Sequence, residues 1–214
     1  MRRRAQDERG AKIFFTNSSV ARCWGGRANP RRLRNAAIRD REYLTPVEVD
    51  QLAAAAKRRG RYGSRDACAI RLAARHGFRV SELCALTWDA VDLAGGWLHV
   101  SRRKNGVPST HPLNGDEIRE LRALKREAES SRFVFNNERG APISPAGFAR
   151  MLQRAAAPAG FGFPVHPHML RHAAGFRLAN EGKNTRDLQL WLGHKNIQHT
   201  VRYTELDGNR FKGW

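Results

Sequence analysis

The sequence predicts an α+β fold that is mostly helical with one small antiparallel sheet. Three observations lead there. Helix-start signals recur along the chain at Thr45-Pro46, Asn114 and Ser144-Pro145. The segments they open carry apolar residues at helical spacing. Only one stretch, 96–113, changes to an extended pattern, around Asn105-Gly106. With 214 residues, 41% of them hydrophobic, the chain fits one domain with a core, or one such domain with an appendage.

In chain order, Thr45 is a capping residue, Pro46 suits the first helical position, and Glu48 completes a capping box for a helix to about residue 58. A second helix spans 64–77, capped by Ser64 and ended by Gly77, and a short third covers 81–86. Asn105-Gly106 is the strongest short signal for a tight hairpin. Asn114 and Glu117 cap a helix to about 128, and Ser144-Pro145 opens one to about 157. Further helices are expected from Pro167 to Gly182, from Thr185 to about 192, and from Thr200 to about Glu205. Residues 1–43 are crowded with arginine and show little apolar period, so they are expected to form a basic, poorly ordered arm or linker ahead of a domain at 44–214.

Lys and Arg number 39 against 20 Asp and Glu, a net charge of +19. A domain this basic is read first as a polyanion binder, nucleic acid before membrane. No apolar run approaches the ~20 residues that cross a bilayer, and no apolar signal core follows the basic N-terminus. Cys23, Cys68 and Cys84 are widely spaced without a CxxC pair, which argues against a disulfide framework or a zinc knuckle. Cys68 and Cys84 sit in apolar context and read as core thiols.

Four clusters hold the reactive side chains: HGFRVSEL at 76–83, with Arg79 on a turn and Glu82 three residues later; Lys104 at the expected hairpin tip; HPHMLRH at 166–172; and WLGHKNIQHTVRYTE at 191–205, with His194 ahead of Tyr203. On a helix, His168, Arg171 and His172 share one face, and Gly175 leaves that face open. Taken singly, each has an ordinary structural reading: a solvated arginine, a hairpin lysine, a packed histidine pair, a half-buried tyrosine. Zinc is disfavoured because Met169 stands where the HExxH motif has its glutamate, and Arg171 would repel a cation. Two-metal chemistry needs clustered carboxylates, whereas these clusters are cationic. Two arginines, a lysine and histidines suit a phosphate neutralised by protein groups rather than metal.

In order and spacing, Arg79, Lys104, His168-x-x-Arg171, His194 and Tyr203 resemble the catalytic domain of the tyrosine recombinase (phage integrase) family over about 44–210. GFRVSEL resembles the family's first arginine box, HPHMLRH its His-x-x-Arg box, and LGHKNIQHTVRYTE its tyrosine box. The pattern is also similar to the small recombinases that invert the switch of type 1 fimbriae and to short integrases of mobile elements.

The resemblance implies a site-specific DNA recombinase that cleaves and rejoins strands through a 3′-phosphotyrosyl bond, without metal, ATP or cofactor. It implies Tyr203 as nucleophile and Arg79 and Arg171 as clamps on the scissile phosphate. Lys104 would be the acid for the leaving 5′-oxygen, His168 an acid/base, and His194 a hydrogen-bond donor. Glu82 would orient Arg79 or His168, and His172 would support the site. Arg31, Arg32, Arg34, Arg102 and Arg103 are the expected DNA contacts. Double-stranded DNA is the expected partner, a homotetramer on two DNA sites the expected assembly, and the bacterial cytoplasm, at the nucleoid, the expected location. A DNA-binding protein without strand transfer, regulatory or decayed from a mobile element, is the alternative. Relatives commonly carry a helical DNA-binding domain ahead of the catalytic one, and residues 1–43 do not read as such a bundle.

Overall fold

The computed structural model describes residues 41–102, 106–127 and 131–205. All fall within one compact unit, Arg39–Trp214. The fold is the expected one, eight helices among the described residues and a small antiparallel sheet. The helices are α1 (Pro46–Lys57), α2 (Gly63–His76), α3 (Val80–Cys84), α4 (Gly115–Glu127), α5 (Pro145–Ala156), α6 (Pro167–Asn180), α7 (Thr185–Leu192) and α8 (Gln198–Glu205). The strands are β1 (Val91–Asp92), β2 (Trp97–Val100) and β3 (Ser109–Pro112), in spatial order β1-β2-β3.

Helix α1 starts where its capping box lies: the Glu48 amide donates to Thr45 Oγ1, and the Thr45 amide donates to Glu48 Oε2 at 2.8 Å. Two orphan amides are thereby satisfied. Helix α2 begins one residue before the expected Ser64, because its first turn runs against the end of α1. A Cβ on Gly63 would sit 2.1 Å from the Lys57 carbonyl oxygen, so only glycine allows the approach. Gly77 ends α2 in the left-handed conformation, φ 63°.

The expected antiparallel pair of strands is present. The ladder pairs Trp97 with Pro112 and ends at Val100 with Ser109, so β2 and β3 form an antiparallel pair on either side of Asn105-Gly106, and Asn105 itself lies outside the described residues. Pro108 has no amide to extend the ladder, and Arg102 turns inward, as described below. Residues 103–105, including Arg103 and Lys104, lie outside the described residues, as do Arg31, Arg32 and Arg34. Strand β1, only two residues long, pairs Val91 with Leu98 and is too short to leave an alternating pattern in the sequence.

Helix α2 packs on α1 and α6, and α5 covers α1. The main core draws on Leu52, Ile70, Leu72, Leu83, Leu98, Leu121, Phe148 and Leu152, with Cys68 and Cys84 buried in it as free thiols. A second cluster joins α6, α7 and α8 through Ala174, Phe176, Leu178, Leu188, Leu192 and Tyr203. Among the described residues no helix is long and apolar enough to cross a membrane.

Candidate active site

Two helix C-termini converge beneath the candidate site. Helix α7 ends, like α2, at a glycine in the left-handed conformation, Gly193 at φ 63°. The last carbonyls of a helix have no partner within it and carry the negative end of the helix dipole. Here they are taken by two guanidiniums. Arg171 donates to the Gly77 carbonyl and, at 2.7 Å, to the Leu192 carbonyl. Arg102 donates to the His76 carbonyl at 3.3 Å, the Gly77 carbonyl at 3.4 Å and the Trp191 carbonyl.

Arg102 therefore corrects an expectation. The sequence suggests a DNA contact on the hairpin, yet the Arg102 side chain is 0% exposed. Its charge meets Glu82, Nη1 to Oε2 at 3.1 Å, and its fork is occupied by carbonyls. Neighbouring glycines make the room: a Cβ on Gly193 would lie 2.6 Å from Arg102 Cγ, and one on Gly106 would lie 2.7 Å from Arg102 Cβ.

Glu82 is shared. Its Oε1 accepts from Arg79 Nη1 at 2.7 Å and its Oε2 from the Arg79 amide at 3.0 Å, which also caps α3. Burial would raise its pKa, but the bonds from Arg79 and the charges of Arg102 and Arg79 outweigh it, and the net shift is downward. The expected pairing of Glu82 with Arg79 is present in the geometry. Arg79 keeps 28% of its side chain exposed, at the mouth of the site.

Arg171 is buried, 2% exposed. Burial, then repulsion by Arg79 and Arg102, lowers its pKa to about 9. It remains charged at neutral pH. Three guanidiniums gather here around one carboxylate, and the surplus of positive charge is the site's main electrostatic feature.

The histidines take distinct places. His194 follows Gly193 and meets α8, Nδ1 to Thr200 Oγ1 at 2.8 Å. Gln189 holds its loop by donating to the His194 carbonyl at 3.0 Å. Burial and the nearby cations Arg171 and Arg79 lower the His194 pKa to about 3, so the ring is neutral. His168 is exposed on the first turn of α6 and meets His172 edge to face, 4.7 Å between ring centres.

Tyr203 is buried, 2% exposed, and its hydroxyl lies 2.7 Å from His172 Nδ1. The face of α6 expected to be open at Gly175 is filled by this tyrosine. A Cβ on Gly175 would stand 2.6 Å from Tyr203 Cε1. Phe176 packs its edge on the same ring at 5.1 Å. Burial raises the phenol pKa, and the charges of Arg171 and Arg202 offset only part of that. An open cleft of about 680 Å³ is lined by Arg79, Gly106, Arg186, His194, Lys195 and His199; buried Tyr203 and Arg171 do not line it. Gly106 brings the described part of the hairpin connection to the edge of this cleft.

Sequence reasoning missed the layer beneath. His76, 0% exposed, bridges His111 Nδ1 at 3.1 Å and Glu117 Oε1 at 3.2 Å. Trp191 stacks on His111 with ring centres 3.9 Å apart. This stack supports the turn whose carbonyls hold Arg102 and Arg171. The inward alternation at His111 was a usable signal; the partnership with Trp191 was not, because 80 positions separate them. Among the described residues, no three His, Cys, Asp or Glu stand together as metal ligands.

Comparison with known proteins gives this geometry a family. The family model described as "Phage integrase family" matches residues 42–210. The type 1 fimbriae regulatory protein FimE of Escherichia coli (strain K12) is 42% identical over 179 residues, 81% of this chain and 90% of that protein. The crystal structure of XerA recombinase superposes with a TM-score of 0.68 at 25% identity, over 78% of this chain and 61% of that one. XerH site-specific recombinase bound to difH substrate, in a pre-cleavage complex, gives a TM-score of 0.67 at 19% identity, over 77% of this chain and 50% of XerH. The last likeness is one of fold, and the chain spans only about half to three-fifths of these two structures.

Proposed function

The chain belongs to the phage integrase family, the tyrosine recombinases, and from that premise we propose that it cleaves and rejoins double-stranded DNA at specific sites with Tyr203 as nucleophile. The observation that carries this reading is the convergence of Tyr203, Arg171, Arg79 and His194, from α8, α6, the α2–α3 turn and the α7–α8 loop: Arg79 and His194 line one cleft, and the charge of buried Arg171 acts on both Tyr203 and His194.

In the proposed step the Tyr203 oxygen attacks phosphorus, forming a 3′-phosphotyrosyl bond. The bond from phosphorus to the 5′-oxygen breaks, and that oxygen leaves as a hydroxyl after taking a proton. The number of phosphoester bonds is unchanged, so religation by a 5′-hydroxyl needs no ATP. Arg79 and Arg171 neutralise the charge that builds on the non-bridging oxygens, planar forks being suited to that task. Metal is not needed for that charge. Neutral His194 offers a ring N–H to the phosphate. Exposed His168, at the start of α6, is the proposed acid/base that takes the proton Tyr203 gives up as it attacks, and Lys104 is proposed to protonate the leaving oxygen from the hairpin. The phosphate also supplies the negative charge that the arginine cluster lacks.

Residues 1–43, with Arg31, Arg32 and Arg34, are proposed as a basic arm on the DNA ahead of a catalytic domain at 44–214, and Arg103 as a phosphate contact. XerH is described on its substrate DNA; a DNA partner is proposed here by that likeness, together with a tetramer on two sites. A nicked suicide duplex carrying the target site tests the reading. A covalent adduct is expected, mapped to Tyr203 and absent in Tyr203→Phe. An adduct at Tyr43, Tyr62 or a serine overturns it, as does the absence of any adduct with the unaltered protein.

A further inference from the structure

We infer that His172 is a positioning residue for strand cleavage: its Nδ1 accepts the hydrogen bond of the Tyr203 hydroxyl and sets where the attacking oxygen stands. This rests on Tyr203 being the nucleophile, and it gives His172 a direct role that its place beside the His-x-x-Arg box did not suggest.

The geometry comes first. Oη and Nδ1 are 2.7 Å apart, a short and well-formed contact for a hydroxyl. Tyr203 is almost wholly buried, and a buried hydroxyl needs an acceptor. His172 can provide one only as a neutral ring with the proton on Nε2, and this tautomer follows from the hydrogen-bond network. The surroundings keep the ring neutral. Burial comes first, then the charges facing it: His168 and His166 at the start of α6, Arg171 beside it, and Arg202 on α8; together they lower its pKa to about 3.

The same surroundings argue against His172 as a general base. A proton taken from Tyr203 would create an imidazolium amid Arg171 and Arg202. The ring orients the hydroxyl and leaves it protonated until the phosphate arrives.

Packing explains why one hydrogen bond matters. The absent side chain of Gly175 and the edge of Phe176 locate the plane of the tyrosine ring. They leave the position of its oxygen to His172. Arg171 and His172 are consecutive on α6, and Arg171 is fixed by two carbonyls. The group that grips the phosphate and the group that holds the nucleophile therefore share one rigid backbone. Reacting groups held near attack distance gain much of their rate from such placement.

Two substitutions separate this role from a structural one. His172→Asn places an amide oxygen near the position of Nδ1, whereas His172→Leu fills the space without an acceptor. Adduct formation on the suicide duplex at saturating DNA is measured beside DNA affinity and the 13Cζ resonance of Tyr203 without DNA, assigned by loss of the signal in Tyr203→Phe. His172→Leu is expected to slow adduct formation about tenfold, the effect of losing roughly one hydrogen bond. It should shift the 13Cζ resonance and leave DNA affinity nearly unchanged. His172→Asn should restore most of the rate and the resonance. Wild-type rate and resonance in His172→Leu overturn the inference. So does His172→Asn with a slow rate and a displaced resonance, and this arm decides alone if His172→Leu fails to fold. Failure of the unaltered protein to form an adduct at Tyr203 refutes the nucleophile reading instead, and the resonance still reports whether the hydrogen bond exists.

Discussion

Glu82 and Arg102 face each other inside the protein, Oε2 to Nη1 at 3.1 Å, with side chains 1% and 0% exposed. The same carboxylate holds Arg79 at the cleft. One buried negative charge thus organises two arginines of different fate, one structural and one presented to the cleft.

Glu82→Gln removes that charge while nearly keeping the shape. It leaves buried Arg102 uncompensated beside Arg171 and Arg79. Breaking a buried pair from one side costs roughly 3–5 kcal/mol. A lowered melting temperature by that order is expected in thermal unfolding, with slower adduct formation as Arg79 loses its anchor. An unchanged melting temperature would show the pair to be dispensable.

Arg102→Ala separates fold support from DNA contact. The substitution strands the carbonyls of His76 and Trp191 and leaves that of Gly77 to Arg171 alone, and stability should fall. The slope of log affinity for DNA against log salt should stay as it is, because a buried guanidinium releases no counterion on binding. Deleting residues 1–41 should act oppositely and flatten the slope, by about 0.9 for each phosphate the arm no longer neutralises. Titrations of both proteins across a salt series check this.

Gly175→Ala should leave the protein folded and slow the chemistry. Alanine is favoured over glycine in a helix interior by about 1 kcal/mol, yet its Cβ would meet the Tyr203 ring at 2.6 Å. The ring must move and carry its hydroxyl away from His172. The expected signature is a melting temperature near wild type with adduct formation reduced at least tenfold, the equivalent of about 1.4 kcal/mol of barrier.

Stability should fall as pH drops from about 6.5. His111, His172 and His194 are each held near pKa 3, burial being the first cause, against 6.5 for the exposed side chain. Between those values the unfolded chain binds more protons than the folded one, so acid favours unfolding. The stabilisation is full above the unfolded value and is lost progressively below it, by up to about 1.4 kcal/mol per pH unit for each group. Glu82 and Glu117, whose pKa values are lowered, add to the loss below the usual carboxylate range. Melting curves from pH 7 to 4 test this; a flat profile down to pH 5 contradicts it.

Local rules made much of the fold legible. The Thr45–Glu48 box, Gly77 as a helix end and Ser144-Pro145 each act within one turn of chain, and each stands where the sequence places it. At the start of α7 the cap is Asn184, whose Oδ1 accepts from the amides of Arg186 and Asp187. Thr185, where the sequence places the helix start, bonds Thr204 on α8, a contact across elements that no local pattern contains. The Asn105-Gly106 signal predicts the pairing of β2 with β3, while the inward turn of Arg102 next to it follows from carbonyls distant in the chain and left no local pattern. Nor could spacing reveal that Gly175 is a seat for Tyr203 rather than open surface, since that contact joins two helices. Lys104, Arg103 and the arginine-rich arm stand outside the described residues.

The ligands of Arg171 are main-chain oxygens, and this has a genetic consequence. No side chain can be exchanged to accommodate a replacement at 171, so a screen for second-site suppressors should find none at the contacting positions 77 and 192 that works by restoring a complementary group. Selection would act instead on what aims the carbonyls: the left-handed glycines 77 and 193, and the Trp191–His111 stack behind them. Covariation would pass over the contact altogether, although it is among the most buried in the molecule.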